Sequence, residues 1–469
     1  MLCPPVLRAR LAAPAADWAE QTFGSVDLGD RRRTKRLVTL ATAWATWPTR
    51  TMPQQSKAPA ALKASYRLLH TDAVTVAQVL APHLEETRQV AATGPVVLLV
   101  QDTTTFDFTA HRHTSGLAPI GDGRGRGFHL QTVLALTPER MPVGVLAADF
   151  WLRQEHPRQE TRTERAQRAR ESDRWGRMVR QIGTPPPGCC WVHVADREAD
   201  LYDFFLAVQE TGSDLLVRLV QNRVVIDDEG SPGHLLDEVR DHPIQGQRSV
   251  RIPGRPGRKA RTAVVGIAWG RTTLRPPHQR DRRQPAPAPV PIWTVRVWEL
   301  DPPPGVAPIE WFLATTVPVE TDAEAWERVD WYTARWVIED FHQGLKSGCG
   351  AEVTQLRDGA AIWRRVAILL PLAVRLLALR AMSRDDPALP VGLVADPLTV
   401  QLVARRTGLA AATTVGAFTR QVARLGGHQG RTGDGPPGWK TLWEGWWYVE
   451  TLLEGVRLAQ GLDRTAKCG

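Results

Sequence analysis

Two short apolar runs, both rich in β-branched residues, constrain the fold most, because each leads straight into a carboxylate. Val96–Val100 (VVLLV) continues into Gln101-Asp102, and Cys190–Ala195 (CWVHVA) continues into Asp196. Runs of this length and composition read as strands. Between them, Phe128–Ala135 alternates and reads as a second strand, and Val143–Trp151 reads as a third after the Pro142 turn. The charged stretch Glu160–Ile182 comes next, and Trp175, Met178, Val179 and Ile182 give its second half a helical stripe. The order is strand, strand, strand, helix, strand, with an aspartate closing the first and the fourth. Either aspartate alone serves equally well as a turn or cap residue.

A third acidic residue lies in Tyr332–Lys346 (YTARWVIEDFHQGLK), which reads as one helix. At ~100° per residue, Tyr332, Arg335, Glu339 and Lys346 fall within roughly 60° of one another. Trp331, Ala334, Ile338, Phe341 and Leu345 gather on a separate apolar arc about 110° away. One face is a seam for a core. The other lines up a hydroxyl, a guanidinium, a carboxylate and an ammonium over ~21 Å. Taken alone, that face is solvated and its Arg335–Glu339 pair is worth ~0.3–0.5 kcal/mol. The upstream aspartates change this reading. Their strand order resembles the ribonuclease-H-like fold, in which the first strand and its parallel neighbour, the fourth, bring two acidic residues together. Two divalent metals ~3.5–4 Å apart need several shared carboxylates of this kind.

The rest of the chain fills in around this core. Its 469 residues give material for roughly two to four domains. Near the start, Arg31, Arg32, Arg33, Lys35 and Arg36 precede the apolar stripe of Leu37, Val38 and Leu40. In a chain of net charge +9 such a cluster favours phosphate contacts over a merely solvated face. Residues 219 to about 310 alternate strand-like pieces with polar turns. Within them, Arg271–Pro291 is crowded with Arg and Pro and reads as an exposed loop. Val366–Met382 is the most apolar run, but Pro371, Arg375 and Arg380 interrupt it, and it reads as a buried helix rather than a membrane span. Arg384–Pro390 marks a boundary, after which helical patterns return, then a Gly-rich turn (425–433) and the tryptophan-loaded segment Trp439–Trp447. The division is a helical domain at 1–75, an α/β domain at 76–385 with a β-rich insertion at about 205–310, and a helical domain at 386–469. The 18 tryptophans outnumber 4 tyrosines and 10 phenylalanines, so some indoles are expected to serve a surface. Cys3, Cys189, Cys190, Cys349 and Cys468 lack zinc-site spacing, and a sparse odd set fits a reducing compartment. The N-terminus has no continuous apolar core of a signal peptide, so a cytoplasmic location is expected.

Together, Gln101-Asp102-Thr103-Thr104, Asp196-Arg-Glu-Ala-Asp200 and Tyr332-x2-Arg335-x3-Glu339-x6-Lys346 resemble the signature of cut-and-paste DDE transposases of the insertion-sequence-4 group, transposon-five type. Leu28–Thr34, Ala64–Arg67, Ala423–Gly427 and Leu442–Trp446 extend the resemblance over nearly the whole chain. It implies a ribonuclease-H-like catalytic core with an inserted β-rich subdomain, a DNA-binding N-terminal domain and a dimerising C-terminal one. It implies Asp102, Asp196 and Glu339 as the catalytic, metal-binding triad for Mg²⁺, with Mn²⁺ as a substitute. Tyr332, Arg335 and Lys346 would hold phosphates at the transposon end, Arg218 would be a further active-site arginine, and Trp311 would stack on a flipped base. Arg31, Arg32 and Arg33 would contact the terminal repeat. Gln343 departs from the pattern, standing where the family has a second lysine. The implied activity is binding of terminal inverted repeats, cleavage of the element ends and joining of the 3′ ends to target DNA, by a homodimer on double-stranded DNA at the bacterial nucleoid, with no membrane partner. A nuclease on the same fold, or an inactivated or domesticated DNA-binding copy, are the alternatives. The first predicts cleavage without joining, the second end binding without cleavage.

Overall fold

The computed structural model describes residues 13–460 except 49, 57, 155–160, 162–169, 227–230, 253, 255–259, 278–286 and 432–433. Local capping sets out its first helices. Helix α1 spans Ala15–Phe23, and α2 spans Arg31–Thr46, where the Asp30 carboxylate accepts from the Arg32 amide. The short α3 (Met52–Gln55) and α4 (Pro59–Leu69) each carry proline in the first turn, where its missing N–H costs no helical bond. Thr75 and Gln78 form a reciprocal capping box on α5, Val76–Ala91. The apolar faces of these helices, including Trp18, Phe23, Leu37 and Trp44, share one core with the sheet that follows.

Strand β1 (Val96–Asp107) is central. With β2 at Ala118–Ile120, β3 at Gly125–Leu136 and β4 at Pro142–Trp151, β1 pairs antiparallel with β3, and β2 and β4 both pair with β3. Helix α6 (Asp173–Ile182) buries the expected stripe of Trp175, Met178, Val179 and Ile182. Most of the first half of that charged stretch lies outside the described residues. Strand β5 (Cys190–Ala195) then lies parallel to β1, so the first and fourth strands are neighbours. Leu98, Leu99 and Val100 are fully buried, as a strand covered on both faces requires.

The segment after Asp196 is not one continuous helix. A single 3₁₀ turn, Arg197–Ala199, ends at Asp200, and α7 starts only at Tyr202, running to Thr211. The fully buried Asp200 carboxylate accepts from the Val220 and Gln221 amides and pairs with Arg223, which holds the loop away from helical geometry. Strand β6 (Asp214–Arg218) lies parallel to β5.

The residues expected as a β-rich insertion do not form a sheet of their own. They supply β7 (Val224–Ile226), β8 (Pro232–His234), α8 (Leu235–Asp241), β9 (Gly246–Ile252), β10 (Arg261–Leu274), β11 (Val290–Glu299) and β12 (Glu310–Thr315). All six strands join the central sheet, whose order is β2-β3-β1-β5-β6-β12-β11-β10-β7-β8 with β4 on β3 and β9 on β10. The physical reason is the edge of β6. Its Leu215, Leu216 and Val217 are fully buried, and β12 covers their unpaired backbone by antiparallel pairing. The expected loop at Arg271–Pro291 is also shorter than read. Arg271–Leu274 belong to β10, Val290 and Pro291 belong to β11, and residues 278–286 lie outside the described part.

Two helices, α9 (Asp322–Thr333) and α10 (Trp336–Gln343), lead to a long one, α11 (Gly359–Asp385). By length and composition α11 could cross a membrane, but 78% of its apolar window is buried within the protein. Three of its arginines, the buried Arg364 and Arg365 and the half-buried Arg375, act as ties. Arg364 donates to the carbonyls of Val74 and Leu69 at 2.6 and 2.8 Å, and to Asp72 at 3.1 Å. Arg365 donates to Gly350 and Ala351, and Arg375 to Ala13. The last helices, α12 (Pro397–Thr407), α13 (Val415–Leu425) and α14 (Trp439–Ala459), close a second core around Val403, Phe418, Val422 and Val449.

The indoles expected at a surface are mostly spent otherwise. Trp18, Trp44, Trp151, Trp191, Trp331 and Trp439 each lie under an arginine, and all six are buried. Trp336 also lies under an arginine but is 48% exposed, and Trp311 is half-buried.

Candidate active site

Strand register brings the two aspartates level. Val100 of β1 faces Val194 of β5, and Asp102 and Asp196 each follow two residues later at the same edge of the sheet. Asp102 still belongs to β1, opposite Thr132 of β3, and its carboxylate accepts from the Thr103 amide at 2.7 Å. Asp196 caps the 3₁₀ turn, accepting from the Glu198 amide at 2.8 Å.

The third carboxylate does not sit on one uniform helix. α9 ends at Thr333, the chain turns through Ala334 and Arg335, and α10 widens after Gln343 into a π-helical turn, Gly344–Gly348. The apolar arc survives the break because Ala334 and Arg335 keep right-handed helical dihedrals. Ala334, Ile338, Phe341 and Leu345 are fully buried. Lys346 is the residue displaced from the expected row. Its ammonium donates to the Thr105 carbonyl on β1 and stands 3.9 Å from Glu352.

Arg335 is the hub of the other groups. Its guanidinium bonds Glu339 at 2.7 Å and stands 3.7 Å from Asp102. At 7% exposure it is not the solvated cation of the plain reading. Burial pushes the Tyr332 phenol up, while Arg335 and Arg218 favour its ionised form. The Tyr332 ring meets Trp311 edge to face, with centroids 5.5 Å apart. Trp311 is half-buried on β12, and the Arg218 guanidinium lies 6.0 Å from its ring centre. The Asp102 carboxyl is pushed up to about 7, first by burial; the Thr103 amide opposes this, Asp196 and Glu339 add to the rise, and Arg335 resists it. Asp102, Asp196, Glu339, Arg335, Tyr332, Arg218 and Trp311 thus form one connected group. Lys346 instead answers to Glu352 and Asp107.

Arg31, Arg32 and Arg33 lie elsewhere, on the first turn of α2. Arg32 is almost fully exposed, and Arg33 donates to the Leu28 carbonyl at 3.0 Å. Cations at a helix N-terminus oppose the helix dipole, so stability does not explain them there. An anion would be stabilised at the same place.

The residues present suit a hard divalent cation, since the donors are carboxylate oxygens. Among the described residues, no group of three or more His, Cys, Asp or Glu stands ready to hold an ion as arranged. Arg335 bridges two of the three carboxylates, and burial, with Asp196 and Glu339 adding to it, raises the Asp102 carboxyl.

Sequence reasoning missed His342. Its ring is buried, lowered to about 3 by burial and by Lys346, and bonded at 2.8 Å to Thr132, the cross-strand partner of Asp102. It pins the helix of Glu339 beside the first aspartate. Only its place three residues after Glu339 could have flagged it. Gln101, quoted beside Asp102, bonds the buried His193 ring at 2.9 Å instead. Gln343 is exposed, so a lysine there would also have faced solvent.

Residues 15–74 match the transposase DNA-binding family, and residues 192–375 match the transposase DDE domain family. The chain carries both domains. The DDE match contains Asp196 and Glu339 but begins after Asp102, which reaches the site through the pairing of β1 with β5. Among solved structures, the chain overlays on a piggyBac transposase synaptic complex with hairpin DNA, seen by cryo-EM, at a TM-score of 0.36 and 7% identity, over 99% of this chain and 83% of that one. So slight an overlay fixes nothing in the arrangement of this DDE domain.

Proposed function

We propose that the protein is a cut-and-paste DNA transposase of the insertion-sequence-4 group, built on a ribonuclease-H-like core of β1, β3, β4, β5 and β6. The observation that carries the reading is the meeting of Asp102, Asp196 and Glu339 at one sheet edge around a buried arginine, in a chain with both transposase domains. Bound Mg²⁺ or Mn²⁺ would supply activation of the attacking oxygen and stabilisation of the leaving one in an in-line displacement at phosphorus.

The protein's own groups do the rest. Asp102, Asp196 and Glu339 hold the ions. Arg335 exchanges its carboxylate partners for a DNA phosphate, releasing the oxygens that bind metal. A planar guanidinium suits that exchange, because it can bind phosphate through two parallel bonds. Tyr332 and Lys346 orient neighbouring phosphates, and Trp311 with Arg218 forms a platform for a base drawn out of the duplex. The N-terminal helices (1–75) bind the terminal inverted repeat, the central domain (76–385) cuts and joins, and the C-terminal helices (386–469) pair two copies on the DNA. The site of action is the bacterial nucleoid, in the cytoplasm.

The test uses a DNA fragment bearing the inverted repeats that flank the coding region. With Mg²⁺ the protein should cut at the repeat ends and join the 3′ ends to a target plasmid. Asp102→Ala, Asp196→Ala and Glu339→Ala should each abolish cutting while leaving repeat binding nearly intact. Cutting by any of these variants at the wild-type rate removes that residue from the site, and absence of metal-dependent cutting by the wild type overturns the reading.

A further inference from the structure

The C-terminal helix α14 reaches the helix of Glu339 through two indoles. Trp439 Nε1 donates to one Asp340 oxygen at 3.2 Å, and the other pairs with Arg380 at 2.5 Å. The Arg380 guanidinium lies 4.5 Å from the centre of the Trp439 ring, closing the triangle. Asp340 is the residue directly after Glu339. One turn later the same indoles meet the π-helical turn that carries Lys346. A Cβ on Gly344 would lie 3.4 Å from the Trp439 ring, and one on Gly348 would lie 2.5 Å from Trp443 Nε1. The two indoles stack on each other with centroids 5.4 Å apart, and both are buried.

π-Turns are strained insertions in α-helices and persist where packing holds them. Here the packing comes from outside the active site. The backbone of Gly344–Gly348 lies against indole faces, and glycine at 348 is what permits that approach. α14 therefore fixes the placement of α10, which carries Glu339, and the shape of the turn that aims Lys346 at β1.

We propose that Trp439 and Trp443 are positioning residues for the phosphoryl-transfer site, holding Glu339 and Lys346 in register with Asp102. The inference rests on the reading of Glu339 and Lys346 as active-site groups. It gives the C-terminal helix a part in the chemistry apart from any role in pairing two copies.

The variants are Trp439→Phe, which keeps a ring and removes the N–H, and Gly348→Ala, which puts a methyl group against Trp443. Trp439→Phe should fold with a thermal midpoint near that of the wild type, Gly348→Ala should have a lower midpoint from overpacking, and both should bind the repeat with near wild-type affinity. Their single-turnover nicking rate should fall roughly 10–100-fold, as small misplacements of catalytic groups do. Trp443→Leu should lower the rate likewise, and adding Gly348→Ala to it should lower the rate little further, because both changes act through one contact. Hydrogen exchange of the amides in 336–350 should quicken in Trp439→Phe, a readout independent of cutting. Variants that nick at the wild-type rate overturn the proposal, as do variants that lose rate only in proportion to lost folded protein, or losses that simply add in the double variant. If the wild type itself does not cut, the proposed function fails, and exchange decides the coupling alone: unchanged exchange overturns it.

Discussion

Replacing Asp102 by asparagine tests the candidate site without any DNA. Burial, with Asp196 and Glu339 nearby, lifts this carboxyl from 3.8 to about 7. Between those values the folded protein keeps a proton that the unfolded chain has released, so native stability falls as pH rises. The penalty is absent below pH about 4, the unfolded carboxyl value, grows through the interval, and is complete above pH about 7. Its ceiling is about 4 kcal/mol, from ~1.4 kcal/mol for each pH unit. Solvent reaching the partly exposed carboxylate lowers that to roughly 2–3 kcal/mol. Asp102→Asn keeps the shape and removes the titration. Thermal midpoints measured from pH 4.5 to 8 in chelator should therefore coincide at the acid end. They should diverge in favour of the variant at pH 8, by roughly 2 °C or less per kcal/mol in a chain this long. Adding Mg²⁺ or Mn²⁺ at pH 8 should raise the wild type and leave the variant nearly still, because an ion binding only the folded site stabilises by mass action. A gap that stays constant with pH would refute the desolvated carboxyl, and a metal shift equal in both proteins would place the ion elsewhere.

Neutralising Arg31, Arg32 and Arg33 together should weaken repeat binding and flatten its dependence on salt, read by anisotropy titration; an unchanged slope would make the cluster only a solvated face. Trp311→Ala should cost roughly 2 kcal/mol, less than a fully buried tryptophan, because the indole is half-buried. If the indole stacks on a base, the variant should still bind and nick but stall at the later step, and a 2-aminopurine near the cut should lose its quenching. Arg364→Ala should lower stability by roughly 3 kcal/mol or more, since the Leu69 and Val74 carbonyls are left without their donor. A chemical denaturation curve unchanged from wild type would contradict the tie.

The core strands and the two aspartates were legible because apolar runs ending in an acidic residue are local signals, and Glu339 because helical spacing set it in one row with Tyr332 and Arg335. β1 and β5 appear where VVLLV and CWVHVA predict them, and only their pairing, a long-range fact, had to come from the structure. The turn at Ala334–Arg335 was invisible because both residues keep helical dihedrals, and periodicity cannot see a break that conserves the face. The π-turn was hidden for a different reason. Its cause, the indoles of Trp439 and Trp443, lies nearly a hundred residues downstream. The membership of β7–β12 in the main sheet was equally nonlocal, decided by the buried edge of β6 rather than by anything in residues 219–310. His342 offered only its place three residues after Glu339 until Thr132 stood opposite Asp102.

The arginine ties of α11 bear on the order in which the chain is made. Arg364 grips a carbonyl 290 positions earlier, and Arg375 grips one 362 positions earlier. At translation speeds of ~5–20 residues per second, about 15–60 s separate the synthesis of Val74 from that of Arg364. Throughout that interval the helices of the first domain lack the partners that complete their core. The helices of residues 15–91 are thus finished only once α11, made long after them, has emerged, although Asp102, Asp196 and Glu339 are all made before it.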